Sequence, residues 1–255
     1  MLVFGTKNYK LDKLGKKNKT KIYSLSLPSG FTCPHADICL SKANPQTGKI
    51  TDGKNTTIRC FSASQEAVYP NVRKNRWNNF QQLKGLDIDK TVDLIQNSLP
   101  KKAEIVRIHV AGDFFSQVYF DAWIKIAYNN PNVVFYAYTK SLPYWIARLG
   151  QIPNNLVLTA SYGGSRDNLI DEYNLRYVKI VLSEYKAKKL KLPIDHDDSH
   201  ALKAGGNFAL LIHGIQPSKT KSAKAISRMK RYGVFGYGKM SELRKTKQKK
   251  ERYGV

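Results

Sequence analysis

Three cysteines, Cys33, Cys39 and Cys60, are the residues of this chain whose type and spacing could do chemistry. They are all of its cysteines, and they fall within a segment of 28 residues that also holds Pro34 and His35. A reduced cysteine that only fills space behaves as a small hydrophobe and is expected among buried apolar residues. These cysteines lie in a polar loop instead. The pattern therefore predicts a metal centre with Cys33, Cys39 and Cys60 as ligands.

Two kinds of metal centre suit these ligands. Three thiolates with one coordination position left open are typical of a [4Fe–4S] cluster, whose free iron could take water, substrate or a cofactor. His35 could complete a zinc site with the three cysteines. Against zinc, the Cys-x₅-Cys-x₂₀-Cys spacing lacks the short separation that is common in structural zinc sites. We favour the cluster and keep zinc as the alternative metal.

The charge of the chain indicates a polyanionic partner. Lys and Arg number 43 against 19 Asp and Glu, and the resulting net charge of +24 favours nucleic acid. Residues 1–22 hold seven Lys and one Asp, and residues 216–255 hold 13 Lys and Arg and two Glu. We interpret these segments as basic N- and C-terminal extensions. A lysine-rich surface that only keeps the protein in solution is the alternative.

The apolar runs of the sequence indicate whether the chain spans a membrane or is secreted. No run approaches the ~20 apolar residues that span a bilayer, and the start of the chain lacks the pattern of a secretory signal. We therefore predict a cytoplasmic protein with no membrane partner. In such a compartment thiols stay reduced.

Repeated strand and helix patterns must position these groups. Predicted helices cover residues 61–83, 87–98, 117–128 and 143–149, and a hairpin is predicted around residues 51–54. The predicted strands are residues 21–27, 105–111, 133–138, 156–160, 177–182 and 208–212. Repeated βα units predict a mostly parallel sheet, either a partial (β/α)₆ barrel, which we favour, or an open doubly wound sheet. We predict one domain over residues 1–240, with the cysteine loop at 31–60 and a basic tail at 241–255.

Polar residues follow several of the predicted strands. Gly112 and Asp113 follow the second strand, Thr139 and Lys140 the third, and Ser161 the fourth. Because the carboxyl ends of parallel strands meet at one edge of a sheet, we expect these five residues to lie around a cofactor there.

The functions of the other polar residues are indicated less specifically by the sequence. The mixture of cations and aromatics at Arg73, Arg76 and Trp77, and the basic pair Lys230 and Arg231, are candidate nucleic-acid contacts. Residues 195–200, rich in Asp and His, are interpreted as a solvated loop. His109, inside a predicted strand, is interpreted as a core histidine.

Four fragments carry a resemblance to known families: FTCPHADICLSKA, RCFSASQEA, IHVAGDFFSQVYFDAW and FYAYTKS. They resemble a phage family called gene product 88. More distantly, the arrangement is similar to the radical S-adenosylmethionine (SAM) enzymes, which are partial (β/α)₆ barrels. This second resemblance implies that Cys33, Cys39 and Cys60 hold a [4Fe–4S] cluster and that Gly112 and Asp113 contact the amino group of SAM. The cysteine spacing departs from the compact CxxxCxxC loop of those enzymes.

Two functional hypotheses follow. The first is an iron–sulfur protein of phage type that could be a radical SAM-like enzyme, acting on or near nucleic acid in the host cytoplasm. The second is a nucleic-acid-binding phage protein in which a cluster or a zinc ion is structural or redox-sensing.

Overall fold

The computed structural model describes residues 1–6, 8–203 and 205–232, which form an α/β fold. Its strands are β1 (Ile22–Leu25), β2 (Ser41–Ala43), β3 (Ile50–Asp52), β4 (Ile105–Ile108), β5 (Val134–Thr139), β6 (Leu156–Ser161), β7 (Tyr177–Val181) and β8 (Phe208–Leu211). Six strands form one parallel sheet in the order β1-β4-β5-β6-β7-β8, and β2 and β3 form an antiparallel hairpin. The six predicted strands and their parallel arrangement are confirmed.

Helices connect and cover these strands. They are α1 (Tyr9–Asn18), α2 (Phe61–Val68), α3 (Pro70–Leu83), α4 (Ile88–Ser98), α5 (Gln117–Asn129), α6 (Leu142–Ile146), α7 (Asn168–Glu172), α8 (Glu184–Lys189), α9 (Ser199–Leu202) and α10 (Lys221–Arg231). The predicted helix over residues 61–83 is two helices, because Pro70 has no N–H to continue the hydrogen bonds of α2 and starts a new helix instead.

The two faces of the sheet have different neighbours. One face packs against α4 and α5, and their shared core includes Ile95, Val106, Trp123 and Phe135. The opposite face packs against Leu11 and Leu14 of α1 through residues that alternate along the strands: Ile22, Ile105, Tyr136, Val178 and Phe208. This alternation is what a sheet buried on both sides requires.

The cysteine loop differs from its prediction in one respect. The predicted hairpin at residues 51–54 lies earlier, since β2 and β3 pair across the turn between Ala43 and Ile50. Asn44 fixes that turn by accepting hydrogen bonds from the backbone N–H groups of Gln46 and Thr47. Asp52 therefore ends a strand and does not form a turn.

The predicted basic N-terminal extension is wrong, because α1 packs into the core through Leu11, Leu14 and Gly15. The predicted tail at 241–255 lies outside the described residues. A partial barrel and a single domain over residues 1–240 stay predictions.

Candidate functional site

A cavity of about 710 Å³ opens at the carboxyl ends of the parallel strands. This is the edge at which α/β proteins usually place their binding sites. Of the predicted metal and cofactor residues, those that line the cavity are Cys33, Cys39, Cys60, Gly112, Asp113, Lys140 and Ser161. Thr139 is not part of the lining but donates a hydrogen bond to Asp113. The sequence therefore located the edge at which these side chains meet.

The cysteines line the cavity but do not form a metal site. Within residues 1–6, 8–203 and 205–232, no group of three or more His, Cys, Asp or Glu side chains is arranged to hold a metal ion. The predicted [4Fe–4S] cluster on Cys33, Cys39 and Cys60 is therefore wrong. The alternative of zinc with His35 is wrong as well: the ring of His35 packs edge-on against Tyr144, outside the cavity lining.

The thiols lie in an environment that disfavours their charged form. Burial, with a smaller contribution from the carboxylate of Asp113, raises the pKa of Cys33 well above its ordinary value. Burial also raises the pKa of Cys60 to about 11. Burial thus favours the neutral form of both thiols.

Asp113 joins the ends of two strands. Its Oδ1 accepts hydrogen bonds from the hydroxyl of Thr139 at 2.6 Å and from the backbone N–H of Phe114 at 2.8 Å, and its Oδ2 accepts one from the backbone N–H of Lys140 at 2.8 Å. Burial raises the pKa of Asp113 to about 6, although these hydrogen bonds act in the opposite direction. The carboxyl group thus holds the loop after β4 against the end of β5.

Gly112, next to Asp113, is required by close packing. Its φ of +84° favours glycine, and an added Cβ would come within 2.5 Å of the hydroxyl of Thr32 and 2.7 Å of the Cβ of Leu27. This glycine therefore lets the loop after β4 pass close to the segment that follows β1.

Lys140 is fixed by oxygen atoms at the end of β6. Its Nζ donates to the carbonyl and hydroxyl oxygens of Ser161 at 2.8 and 2.7 Å and to the carbonyl of Tyr162 at 2.8 Å. An ammonium group has three N–H donors, so all of them are used. Lys140 and Ser161 hold β5 and β6 together at the cavity. Binding of SAM by these residues and by Gly112, Asp113 and Thr139 stays a prediction.

A buried ionic network beneath the cavity was missed by the sequence analysis. Asp198 is fully buried and accepts from Arg107 at 2.6 Å, and its carboxylate lies 2.5 Å from the ammonium of Lys10. Burial alone would raise the pKa of Asp198, but Arg107 and Lys10 hold it well below its usual value. The hydroxyls of Tyr136 and Tyr138 also donate to this carboxylate.

The interpretation of residues 195–200 as a solvated loop is therefore wrong, since Asp195 and Asp198 are both fully buried. One signal could have indicated this. Arg107 stands in an otherwise apolar strand, and a buried guanidinium requires a buried carboxylate elsewhere in the chain.

Two predicted nucleic-acid contacts are structural. Arg73 and Arg76 are 7% and 5% exposed. Arg76 donates to Oε1 of Glu66 at 2.8 Å and to the carbonyl of Ser62 at 3.0 Å. Arg73 donates to the carbonyls of Pro45, Glu66 and Gln46. Their guanidinium groups join α2 and α3 to the hairpin and are not available to phosphate groups, so these two predictions are wrong.

The remaining predicted contacts differ in accessibility. Trp77 is half-buried, and its ring packs against those of Phe31 and Phe80, with centroid separations of 4.8 and 6.0 Å. Lys230 and Arg231 are exposed on the last turn of α10. Nucleic-acid contact by these residues stays a prediction.

Comparison with known proteins identifies the family. The sequence profile of the Gene product 88 family matches residues 2–230. The chain belongs to this family. The Gene 88 proteins of Mycobacterium phages L5 and D29 are each 28% identical to it over 183 residues, which is 65% of this chain and 69% of each relative.

The predicted relationship to gene product 88 is confirmed, whereas no similarity to radical SAM enzymes emerges from these matches. No solved structure matches the chain. In the part of the chain that the structure describes, every helix is too short or too polar to cross a membrane.

Proposed function

We propose that this gene product 88 protein binds nucleic acid in the host cytoplasm through the basic surface of α10. The observation that carries the proposal is the composition and exposure of this helix. Within eleven residues it has five cations and no Asp or Glu, and all five cations are exposed: Lys221, Lys224, Arg228, Lys230 and Arg231. A helix face of this kind attracts phosphate groups irrespective of base sequence.

The position of α10 connects this charge to the cavity. The hydroxyl of Ser222 donates to the carbonyl of Thr57 at 2.8 Å, and Met229 packs against the cluster that contains Val181 and Leu211. Thr57 directly precedes the segment 58–62, which lines the cavity. A strand bound along α10 would therefore pass beside the cavity.

Local charge balance supports the proposal. A basic helix that faced acidic side chains would be neutralised within the protein, but the ion pairs found among the described residues leave α10 out. The sequence beyond α10, from residue 233 to residue 255, adds seven Lys and Arg against two Glu. The phosphate-attracting charge thus continues along the chain after the helix.

Salt-dependent binding to labelled single-stranded DNA and RNA, measured by fluorescence anisotropy, tests the proposal. The affinity should fall steeply as salt rises from about 50 to about 200 mM, because neutralised phosphates release counterions. The double variant Lys224→Glu and Arg228→Glu should weaken binding and reduce the slope by roughly 0.7 for each phosphate that the variant no longer neutralises.

The matched control reverses two exposed lysines at the opposite end of the sheet, Lys101→Glu and Lys102→Glu. They lie just before β4 begins, away from the carboxyl ends of the strands. An affinity that does not change with salt, or an equal loss of affinity in both double variants, would contradict an interface on α10.

A further inference from the structure

The cavity beside α10 has the size and the walls of a small-molecule site. Its volume of about 710 Å³ lies within the range of ligand pockets, roughly 300–1,000 Å³. Much of the wall is apolar, formed by Ile58, Phe61, Val110, Ile180 and Leu210. Such walls favour a ligand with a flat or apolar body.

Arg107 places an available donor at this cavity. Its Nε donates to the carbonyl of His109 at 3.1 Å, its Nη1 donates to Asp198, and its guanidinium lies 5.0 Å from the ring centroid of Tyr138. Among the described residues, no hydrogen bond uses Nη2. Arg107 is thus held rigidly on one side and can donate to a ligand on the other.

His109 lies in the cavity wall, but its imidazole is closed off from the cavity space. It is 3% exposed, and its Nε2 lies 2.9 Å from the hydroxyl of Tyr119. Its Nδ1 is buried and has no hydrogen-bond partner among the residues that the structure describes. Burial and the neighbouring Arg107 lower the pKa of His109 to about 3, so its ring is neutral. A nitrogen that solvent does not reach is closed to a ligand as well, so the polar contact of this wall is made by Arg107.

The charges around the cavity leave one positive charge in excess. Four cations line it, namely Lys10, Arg59, Arg107 and Lys140, together with the single carboxylate of Asp113. Two further carboxylates pair with these cations from outside the lining: Asp52 with Arg59, and Asp198 with Lys10 and Arg107. An anionic ligand would offset this excess.

We propose that the cavity binds one nucleotide unit, with its phosphate at Arg107 and its base between the apolar walls. A nucleotide combines the required features, namely an anionic group and a flat ring with hydrogen-bonding edges. The proposal rests on the proposed function and deepens it. The nucleotide is either free or turned out of a strand bound at α10, as in proteins that take a base into a pocket.

The first test uses AMP, GMP, CMP and UMP as probes in isothermal titration calorimetry, with the full chain. We expect at least one to bind and to shift the ¹⁵N resonances of the Arg107 guanidinium. The variant Ala36→Leu extends a half-exposed side chain of the cavity lining and should weaken binding by about tenfold. The control Ala147→Leu, at an exposed position outside the lining, should bind as the wild type does.

A second test distinguishes the source of the nucleotide. A single-stranded oligonucleotide that contains 2-aminopurine should fluoresce more brightly on binding if the base leaves its stack, and Ala36→Leu should abolish this increase. Binding of free nucleotides without that increase supports the cavity proposal with a free nucleotide as the ligand.

The cavity proposal and the proposed function can fail independently of each other. The cavity proposal is wrong and the proposed function stands if the oligonucleotide binds at α10 but no free nucleotide binds. In that case the 2-aminopurine fluorescence does not increase, and Ala36→Leu does not change the affinity for the oligonucleotide. If free nucleotides bind and shift the Arg107 resonances but strands do not bind, the proposed function is wrong and the cavity proposal stands for free nucleotides. Binding of SAM with none of the four nucleotides would overturn the cavity proposal.

Discussion

Helices α1 and α10 come from the two basic ends of the chain but contact the rest of the protein in different ways. In α1, Leu11 and Leu14 are buried against the sheet, and Lys10 pairs with a fully buried carboxylate. In α10, Ser222 is the only buried residue, and the cations point to solvent. Similar charge in sequence therefore serves internal balance at one end and an accessible surface at the other.

Removing the buried partner of α1 should have the largest effect. In Asp198→Asn, Lys10 and Arg107 stay buried without a carboxylate, so we expect the free energy of unfolding to fall by about 3–5 kcal/mol. Urea unfolding measures this. The control Asp89→Asn breaks an exposed pair with Lys125 and should cost less than about 1 kcal/mol. Equal losses would mean that α1 is not held by buried charge.

Truncation of an apolar side chain should destabilise the protein more in α1 than in α10, and this is the second-largest expected effect. Leu14→Ala removes buried contacts of α1 and should cost about 2–4 kcal/mol, whereas Ile226→Ala, at a half-buried position of α10, should cost less than about 1 kcal/mol. Chemical denaturation of both variants gives the comparison. A cost at Ile226 as large as that at Leu14 would show that α10 belongs to the core.

The two buried carboxyls, Asp198 beside α1 and Asp113 at the cavity, should respond to pH in opposite directions. The pKa of Asp198 is lower in the folded state than in the unfolded state. Asp198 therefore stabilises the fold at pH values above its unfolded-state pKa, and this stabilisation is lost as pH falls. Asp113, with its pKa raised to about 6, binds a proton more tightly in the folded state. Its contribution is therefore lost as pH rises from about 4 to about 6, by roughly 2–3 kcal/mol.

Unfolding in urea at several pH values between about 4 and 7 measures the Asp113 effect, with Asp113→Asn as the comparison. The variant should lack the fall in stability over this interval. The same fall in both proteins would place the responsible group elsewhere.

Surface substitutions on α10 should have the smallest effect on stability. Arg228→Glu changes an exposed side chain and should alter the free energy of unfolding by no more than about 0.5 kcal/mol. Thermal unfolding by circular dichroism checks this and shows that a loss of nucleic-acid binding is not a loss of folding. A large destabilisation would mean that Arg228 makes internal contacts.

The strands were predictable because their local patterns determine them. Residues 133–138, a short and almost continuous apolar run with β-branched and aromatic residues, favour a strand buried on both faces, and the carboxyl-end rule then brought Asp113, Lys140 and Ser161 together. The buried network was harder to predict. The contact between Asp198 and Arg107 joins residues 91 positions apart, and a local pattern of acidic residues is the same whether it is solvated or buried.

The cysteines show a different limit of prediction from the sequence. Their spacing shows that they share a loop, but it does not give the directions of the Sγ atoms or the protonation of the thiols. The protonation depends on burial and on charges distant in sequence, among them the carboxylate of Asp113. The nucleic-acid contacts predicted for the arginines of α3 were wrong because their partners also lie outside the local pattern. Glu66, the partner of Arg76, lies on the preceding helix.

The position of α1 has a consequence for how the protein is made. Lys17, near the end of α1, donates to the hydroxyl of Ser199, 182 residues later in the chain. At ribosomal speeds of about 5–20 residues per second, the N-terminal helix waits roughly 10–40 s before the last of its contacts emerge. Leu11 and Leu14 are incompletely covered during this interval, so the newborn chain presents a partly open apolar helix to chaperones until β8 arrives.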